Sequence, residues 1–359
     1  MERLRVLFAV HDWGLGHATR GLVLIRALLT RGHEVTVVCA GRAAALLRQE
    51  LGASCTFVEL RDIPKPLSRR AFLFYIRMSL AMPAVFETFR REQRLVETLC
   101  RDRRFDRIIS DSRLGVHHPV IPSYFLFHSP RQIIPGRPRA LETFVERNQR
   151  ALLFKARKIL VPDDDEDGLA GELCHHLACD WQNRLEYIGI LSRIRKQDLP
   201  QDIDTFISIS GAEPQRTIFE RLVLAQAPQL RGRVVITLGR PDLAPAVSDD
   251  GRLAVHSFMD RATQEAMMNR ARLVVTRSGY TTVMELAELG KRALLVPTLG
   301  QSEQEYLAAY HHRLGHAYGV RQKDLRLARD VAIAERYPGL SAPRPTSVSV
   351  ERFLAAIEA

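Results

Sequence analysis

Cysteine is scarce in this chain of 359 residues: Cys39, Cys55, Cys100, Cys174 and Cys179 are sparse and odd in number. That excludes a disulfide framework and fits a reducing compartment. Long apolar runs are missing as well. No stretch reaches the roughly 18–20 residues that span a bilayer, and no leader pattern precedes the first apolar strand at Leu4–Val10, so the chain reads as cytoplasmic. A third glycine is missing from the first turn, Gly14-Leu15-Gly16-His17-Ala18-Thr19-Arg20, where Thr19 stands in its place. The second strand ends in Cys39-Ala40-Gly41, without the acidic residue that holds a dinucleotide ribose, and NAD binding is excluded. Nucleic-acid motifs are absent too, so no nucleic-acid partner is expected.

What is present is a globular composition, 46% apolar and 26% charged, in a chain long enough for two α/β cores. The net charge of +11 is unevenly spread. Residues 1–160 hold 28 Lys and Arg against 14 Asp and Glu, and the remainder 24 against 27. A basic first half attracts an anionic partner, or is an Arg-rich solvated surface.

The order of elements predicts an α/β fold of two Rossmann-like domains facing across a cleft. Arg5–Val10, a Gly-bearing turn, a helix over Ala18–Arg31 and a strand at Glu34–Cys39 open a parallel sheet. Further strands are expected at Thr56–Leu60, Arg107–Ser110, Tyr124–Phe127 and Lys158–Val161. The pattern restarts at Thr205–Ser210 with a helix over Gln215–Gln226, then strands at Arg233–Leu238, Leu253–His256, Leu273–Thr276 and Ala293–Val296. The expected domains are 1–188 and 189–346, with 347–359 a final helix packing back on the first. Ligands of such sheets lie at the carboxyl ends of the strands.

Two cassettes carry chemistry. In the first turn, His17 sits at a helix N-terminus, where the helix dipole favours neutral imidazole. A neutral imidazole in a cleft suits a general base, and a plain helix cap is the alternative. Asp111 and His128 each follow a strand on the same side of the sheet. Asp111 is a candidate to orient His17, and His128, with Gly14 and Gly16, a candidate for the acceptor side. In the second cassette a strand ends at Thr276 and Arg277-Ser278-Gly279 leads into a helix near Tyr280. Its N-terminus is an anion site for a diphosphate. Glu285, further along that helix, can accept hydrogen bonds from both ribose hydroxyls. The polar loop Gly300–Tyr306, with Gln304, can bond sugar hydroxyls.

At these residues the stretch from His256 to Tyr306 resembles the donor half of GT-B glycosyltransferases. It is most similar to the family that adds N-acetylglucosamine to the lipid-linked peptidoglycan precursor. The resemblance implies that Phe258 and Met259 lie near the base, Arg277, Ser278 and Gly279 form the turn, Glu285 binds ribose, and Gln304 belongs to the sugar loop. Ser210-Gly211-Ala212-Glu213 matches the family's glycine-bearing loop that opens the second domain. Gly14–His17 matches its first loop, whose histidine faces the acceptor. The chain departs from the family at Trp13, Leu15, Pro214 and Gly300, and the resemblance does not extend to the segments Asp62–Leu99 and Arg131–Lys155.

The expected activity is transfer of a sugar from a nucleotide-diphosphate donor, UDP favoured, with inversion and without a metal or other cofactor. Pro162-Asp163-Asp164-Asp165-Glu166-Asp167 reads as a solvated acidic loop, and Cys174-His175-His176 with Cys179 lacks a zinc spacing. The apolar stretch Ala71–Phe89, flanked by Arg69-Arg70 and Arg90-Arg91, is either a buried helix or a surface for an anionic membrane or a lipid-linked acceptor. Two other readings stay open. The first turn also resembles the UDP-sugar hydrolase of pseudaminic acid synthesis, which points to hydrolysis or epimerisation. The basic half suggests a non-catalytic nucleotide- or nucleic-acid-binding protein.

Overall fold

A computed structural model of the chain describes residues 3–63, 71–166, 168–240, 242, 244 and 246–359, with backbone alone over 71–79. Arg69, Arg70, Asp167 and the side chains from Ala71 to Ser79, named above, lie outside the described residues. The chain divides into two compact units, Met1–Arg193 with Arg344–Ala359, and Ile194–Pro343.

Unit 1 runs β1 (Arg5–Val10), α1 (Leu15–Thr30), β2 (Glu34–Cys39), α2 (Gly41–Leu51), β3 (Thr56–Glu59), α3 (Ala71–Asp102), β4 (Arg107–Asp111), β5 (Ser123–Leu126), α4 (Arg139–Leu153), β6 (Lys158–Val161) and β7 (Leu185–Tyr187). The strands are parallel in the order β3-β2-β1-β4-β5-β6-β7. Near-continuous apolar strands, such as Val6–Val10, are what a sheet covered on both faces requires. The strand order reverses between β1 and β4, so the segments leaving these two strands, His11–Gly14 and Ser112 onward, frame a crevice at the carboxyl edge.

Unit 2 runs β8 (Ile203–Ser208), α5 (Gln215–Gln226), β9 (Val234–Thr237), β10 (Val247–Asp249), β11 (Leu253–His256), α6 (Arg261–Arg270), β12 (Ala271–Thr276), α7 (Tyr280–Leu289), β13 (Arg292–Leu295), α8 (Ser302–Arg313), β14 (Tyr318–Gly319) and α9 (Leu327–Ala334). Its sheet order is β10-β11-β9-β8-β12-β13-β14, with β10 antiparallel to β11. The reversal here falls between β8 and β12, which places Gly211 and Gly279 beside one switch point. Phe219, Val223, Ile236, Val275 and Leu294 belong to its core.

The chain finishes in α10 (Thr346–Glu358), which belongs to unit 1 and packs on α1. Phe353, Leu354 and Ile357 are buried there, His33 Nε2 meets Glu358 at 3.0 Å, and Arg107 Nε donates to the Ile357 carbonyl at 2.6 Å. The unit boundary falls after Arg193 rather than Ile188, because Gly189 N donates to the Asp163 carbonyl (2.9 Å) and Ser192 N to Thr346 Oγ1 (2.9 Å), both in unit 1.

One sequence reading is corrected here. The acidic run does not form a solvated loop at its start, for Asp163 and Asp164 are buried. Asp163 accepts from the backbone of Leu169 (2.8 Å) and Ala170 (3.0 Å), from Cys174 Sγ (3.3 Å), and contacts His175 Nε2 at 3.1 Å. Asp163, Cys174 and His175 are metal-ligand types gathered within 4.8 Å, but the Asp163 oxygens are already engaged and Gly168 packs against the Asp163–His175 pair. The arrangement is a hydrogen-bond hub that shapes the loop. The described part of the apolar stretch is neither wholly buried nor wholly exposed. Val85 and Thr88 turn inward, while Leu80 (77% exposed) and Phe86 (49%) face solvent.

Candidate functional site

The unit 1 site grows from the first βα turn. Gly14 caps α1 in extended backbone with no side-chain hydrogen bond, and the first turn of the helix carries no acidic residue. The exposed N–H groups and dipole there disfavour a cation. His17 sits in that turn, and its Nδ1 lies 2.9 Å from Asp111 Oδ1, at the last residue of β4. Arg20, one turn on and buried, donates Nε to Asp111 Oδ2 at 2.8 Å and an N–H of its other arm to Oδ1. Its NH1 donates to His128 Nδ1 at 3.0 Å. One guanidinium thus gathers His17 and Asp111, which the sequence paired, with His128, which it left apart.

Electrostatics follow from this packing. Burial pulls the His17 imidazole from 6.5 down to about 4, with Arg20 and His11 pushing the same way and Asp111 opposing them. Asp111 itself is held well below the usual carboxylate range: burial opposes ionisation, and Arg20 and His17 overcome it. A neutral His17 beside an ionised Asp111 is the charge state a general base needs.

A second histidine–carboxylate pair lies next to the first. His11, at the end of β1, meets Asp62 Oδ2 at 2.7 Å, and its ring stands edge-on to His17 with centroids 5.0 Å apart. Burial raises the Asp62 carboxyl, but hydrogen bonds and charge from His11 win and leave it at about 2. Asp62 also accepts from Asp12 N at 2.7 Å. Behind them, buried Arg113 pairs with Glu92 (2.7 Å) and donates to the Leu60 and Arg61 carbonyls at 3.0 and 3.2 Å. That pair ties the segment carrying Asp62 to the loop leaving Asp111. Sequence reasoning missed Arg20, His11 and Asp62 as site residues. The contact between Arg20 and Asp111 spans 91 positions, and only the buried arginine in the first turn hints at it.

In unit 2, four segments meet at the carboxyl ends of β8, β12 and β13. Gly211, after β8, has φ +119, a value that favours glycine. A Cβ there would stand 3.8 Å from Thr298 Oγ1, and one on Gly279 would stand 4.0 Å from Gln304 Nε2. Gln304 Oε1 accepts from Thr298 N at 2.9 Å, its Nε2 donates to Gln301 Oε1 at 2.6 Å, and its carbonyl accepts from Ser278 Oγ at 2.7 Å. Thr298 is buried, and its hydroxyl has no hydrogen-bond partner among the described residues.

Helix α7 starts at Gly279 with no side-chain cap and no acidic residue in its first turn. The start of α5 differs: Glu213 Oε2 accepts from Thr217 N at 3.3 Å and Glu213 Oε1 takes Arg216 Nε at 2.7 Å. Glu213 already supplies the negative charge at α5, and Ala212 contributes its carbonyl to Arg216 N. An anion is therefore better placed at α7.

Arg277 does not face that N-terminus. It is buried, donates to the carbonyls of Val296, Pro297 and Gln215, all at 3.1 Å, and lies 4.1 Å over the Phe219 ring. Burial lowers its pKa to about 10. It fastens the loop from behind instead of reaching a ligand. Glu285 lies buried on α7. Phe258 is 42% exposed after β11, with Met259 buried beside it, two strands from β8 in the sheet.

The glycosyltransferase family 28 C-terminal domain matches residues 209–335, and glycosyl transferase family 1 matches residues 4–61. An uncharacterized glycosyltransferase of Methanosarcina acetivorans is 23% identical over 335 residues, covering 87% of this chain and 84% of that one. The UDP-N-acetylglucosamine–N-acetylmuramyl-(pentapeptide) pyrophosphoryl-undecaprenol N-acetylglucosamine transferase of Methylobacterium radiotolerans is 42% identical over 145 residues, 37% of this chain and 39% of the relative. Among solved structures, a calicheamicin glycosyltransferase superposes with a TM-score of 0.63 at 18% identity, covering 100% of this chain and 95% of that one. MurG of Acinetobacter baumannii gives 0.56 at 14% identity, covering 99% of each. Two parallel-sheet units with these neighbours define the GT-B fold. Within that class the chain is a glycosyltransferase whose second unit matches the family 28 C-terminal domain, and it resembles the lipid-linked peptidoglycan N-acetylglucosaminyltransferases.

Proposed function

We propose that the chain transfers a sugar from a UDP-sugar to an acceptor hydroxyl, with inversion and with no cofactor. The observation that carries this reading is the 2.9 Å contact between His17 and Asp111 at the carboxyl edge of the unit 1 sheet. His17 takes the proton of the acceptor hydroxyl as its oxygen attacks the anomeric carbon. Asp111 orients the ring and stabilises the imidazolium that forms. The anomeric C–O bond breaks toward the nucleoside diphosphate, whose growing charge falls at the N–H groups of α7 beside Gly279. Gly211 lets backbone approach the diphosphate, and the Thr298 hydroxyl supplies a donor nearby. Glu285 binds ribose, Phe258 and Met259 border the base, and Ser278 and Gln304 shape the sugar loop. Gly14, Gly16 and His128 belong to the acceptor side. A single displacement at the anomeric carbon gives inversion.

The acceptor we favour is lipid-linked and anionic, reached by peripheral contact with an anionic membrane. The undecaprenol-linked substrate named for the Methylobacterium relative supports this, as do exposed Leu80 and Phe86 on α3 near Arg90 and Arg91. Among the described residues no helix is long and apolar enough to cross a membrane.

Calorimetry with UDP, GDP and dTDP, followed by product analysis with a UDP-sugar alone and with lipid-linked acceptors, tests the reading. UDP binding with sugar appearing on the acceptor supports it. Rapid stoichiometric hydrolysis of donor alone favours the hydrolase reading, and no nucleotide affinity removes the donor site.

A further inference from the structure

His17 is the base of the proposed transfer, and one of its ring nitrogens is already engaged: Nδ1 lies 2.9 Å from both Asp111 Oδ1 and Arg20 NH2. Contacts at one nitrogen fix a point on the ring but not its plane. A swing about that point carries the far edge with it, and a hydrogen bond offered there weakens as its angle falls away. The plane is set by what packs against the ring.

The neighbouring ring is His11. Its plane stands 86° from that of His17, with centroids 5.0 Å apart, the edge-to-face arrangement that ring pairs favour. His11 is held in turn. Asp62 Oδ2 lies 2.7 Å from its Nδ1, and the Trp13 ring lies 5.4 Å away. Trp13 Nε1 donates to the Ile63 carbonyl at 3.3 Å. Asp62 is anchored by backbone, one oxygen accepting from Asp12 N and the other from Ile63 N, each at 2.7 Å. The Leu60 and Arg61 carbonyls beside it accept from Arg113, which follows Asp111 by two positions and pairs with Glu92. The contacts close a circuit. It runs from His17 to Asp111, along the chain to Arg113, across to the Leu60–Asp62 segment, then to His11 and back to His17.

Stability alone does not call for this. Apolar side chains fill such a space without burying ionisable groups, and a buried ion pair is weak evidence of added stability. His11 is also the less suited of the two to meet an acceptor, its side chain being 6% exposed against 19% for His17. We propose that His11 is a positioning residue that braces the His17 ring, so that the base is held by two carboxylates, Asp111 directly and Asp62 through His11. The role in transfer rests on the transferase reading, whereas the brace can be observed without substrate.

A double-mutant cycle on the full chain, run with the UDP-sugar and lipid-linked acceptor of the transfer assay, tests the role. His11→Ala should lower kcat by about 10–100-fold, the loss that a slightly misplaced reacting group brings, and leave the donor KM within about twofold. In a His17→Ala background the same change should lower kcat no further, because a residue that acts through His17 has nothing left to act on. Relaxation of the His17 Cε1–H group in the 13C-histidine chain, assigned through His17→Gln, reads the brace. Its order parameter should fall from about 0.85, a rigid group, to below about 0.6 in His11→Ala. His11→Phe, which returns a ring to the position, should bring it back toward the parent. If His11→Ala does not fold, Asp62→Asn carries both readouts, with losses of the same kind and smaller size. Equal losses of kcat with and without His17 would mean a structural role and overturn the proposal. So would an order parameter unmoved in folded His11→Ala, or in Asp62→Asn where that variant decides. A loosened His17 in a chain that transfers no sugar would sink the transferase reading and leave the brace standing.

Discussion

In unit 1 a strand runs into Gly14, and α1 starts there without a side-chain cap or an acidic residue in its first turn. In unit 2 a strand runs through Arg277 and Ser278 into Gly279, and α7 starts under the same conditions. Both turns sit at the point where their sheet reverses strand order. Their surroundings then part. The first helix is met by Asp111, Arg20, His11 and Asp62, a dense set of buried ionisable groups. The second is met by Gly211, Thr298 and Gln304, which are neutral. An uncapped helix start is thus a shared scaffold. In the proposed function, the histidine and carboxylate at the first make a place to move a proton, and the open backbone N–H groups at the second a place to hold an anion.

The comparison breaks first at His17. His17→Ala should cut transfer by about 10²–10⁴-fold, the usual worth of a general base, with nucleotide affinity by calorimetry unchanged. A drop in affinity instead would mean that the two turns do not divide the work.

The pH dependence of stability comes next. In the folded chain His17 gains its proton only near pH 4, against 6.5 unfolded. The unfolded state therefore binds more protons between those values, and stability falls as pH drops from 6.5 toward 4, by on the order of 3 kcal/mol. Asp62 acts lower, its contribution lost between 3.8 and about 2. Urea unfolding at pH 7, 5.5 and 4.5 should show the upper window, and His17→Gln should flatten it. A slope unchanged by that substitution would place the origin elsewhere.

The turn in unit 2 is tested through its ligand. Glu285→Ala should weaken the bound nucleotide by about 10–100-fold, the loss of hydrogen bonds to a charged group. Gly279→Ala is milder on the fold, since a Cβ there has Gln304 Nε2 no closer than 4.0 Å. It should leave the melting temperature in place and still lower diphosphate affinity, by about tenfold, by filling the approach to the N–H groups. The smallest effect is expected at Glu213→Ala. Removing its exposed ion pair with Arg216 should cost about 0.2–1 kcal/mol of stability and leave nucleotide affinity as it was, or improve it. A large loss of affinity would move the diphosphate from α7 to α5.

Much of the architecture was legible because local patterns carry it. Apolar strands ending in glycine-bearing turns marked β1, β2, β8, β12 and the start of α7, and the helix over Gln215–Gln226 coincides with α5. Short strands with little apolar signal, β7, β10 and β14, were not marked, because pairing with a neighbour and not composition makes them strands. The site was legible where one segment holds it. Ser278, Gly279 and Gln304 do gather in space. Where partners come from distant segments the sequence had no voice: Arg20 with Asp111, His11 with Asp62, Arg113 with Glu92. Arg277 adds what spacing alone does not carry: its two terminal nitrogens donate to the carbonyls of Val296, Pro297 and Gln215.

The chain leaves unit 1 after Arg193 and re-enters it at Arg344, so that Phe353, Leu354 and Ile357 complete a core begun at the other end. During synthesis this reverses the usual order of completion. Unit 2 has all its residues once Pro343 is made, while unit 1 waits for Arg344–Ala359. A nascent chain stalled in that interval would carry a finished second unit and an open groove along α1. Loss of the final helix would injure the unit that holds His17, leaving unit 2 whole.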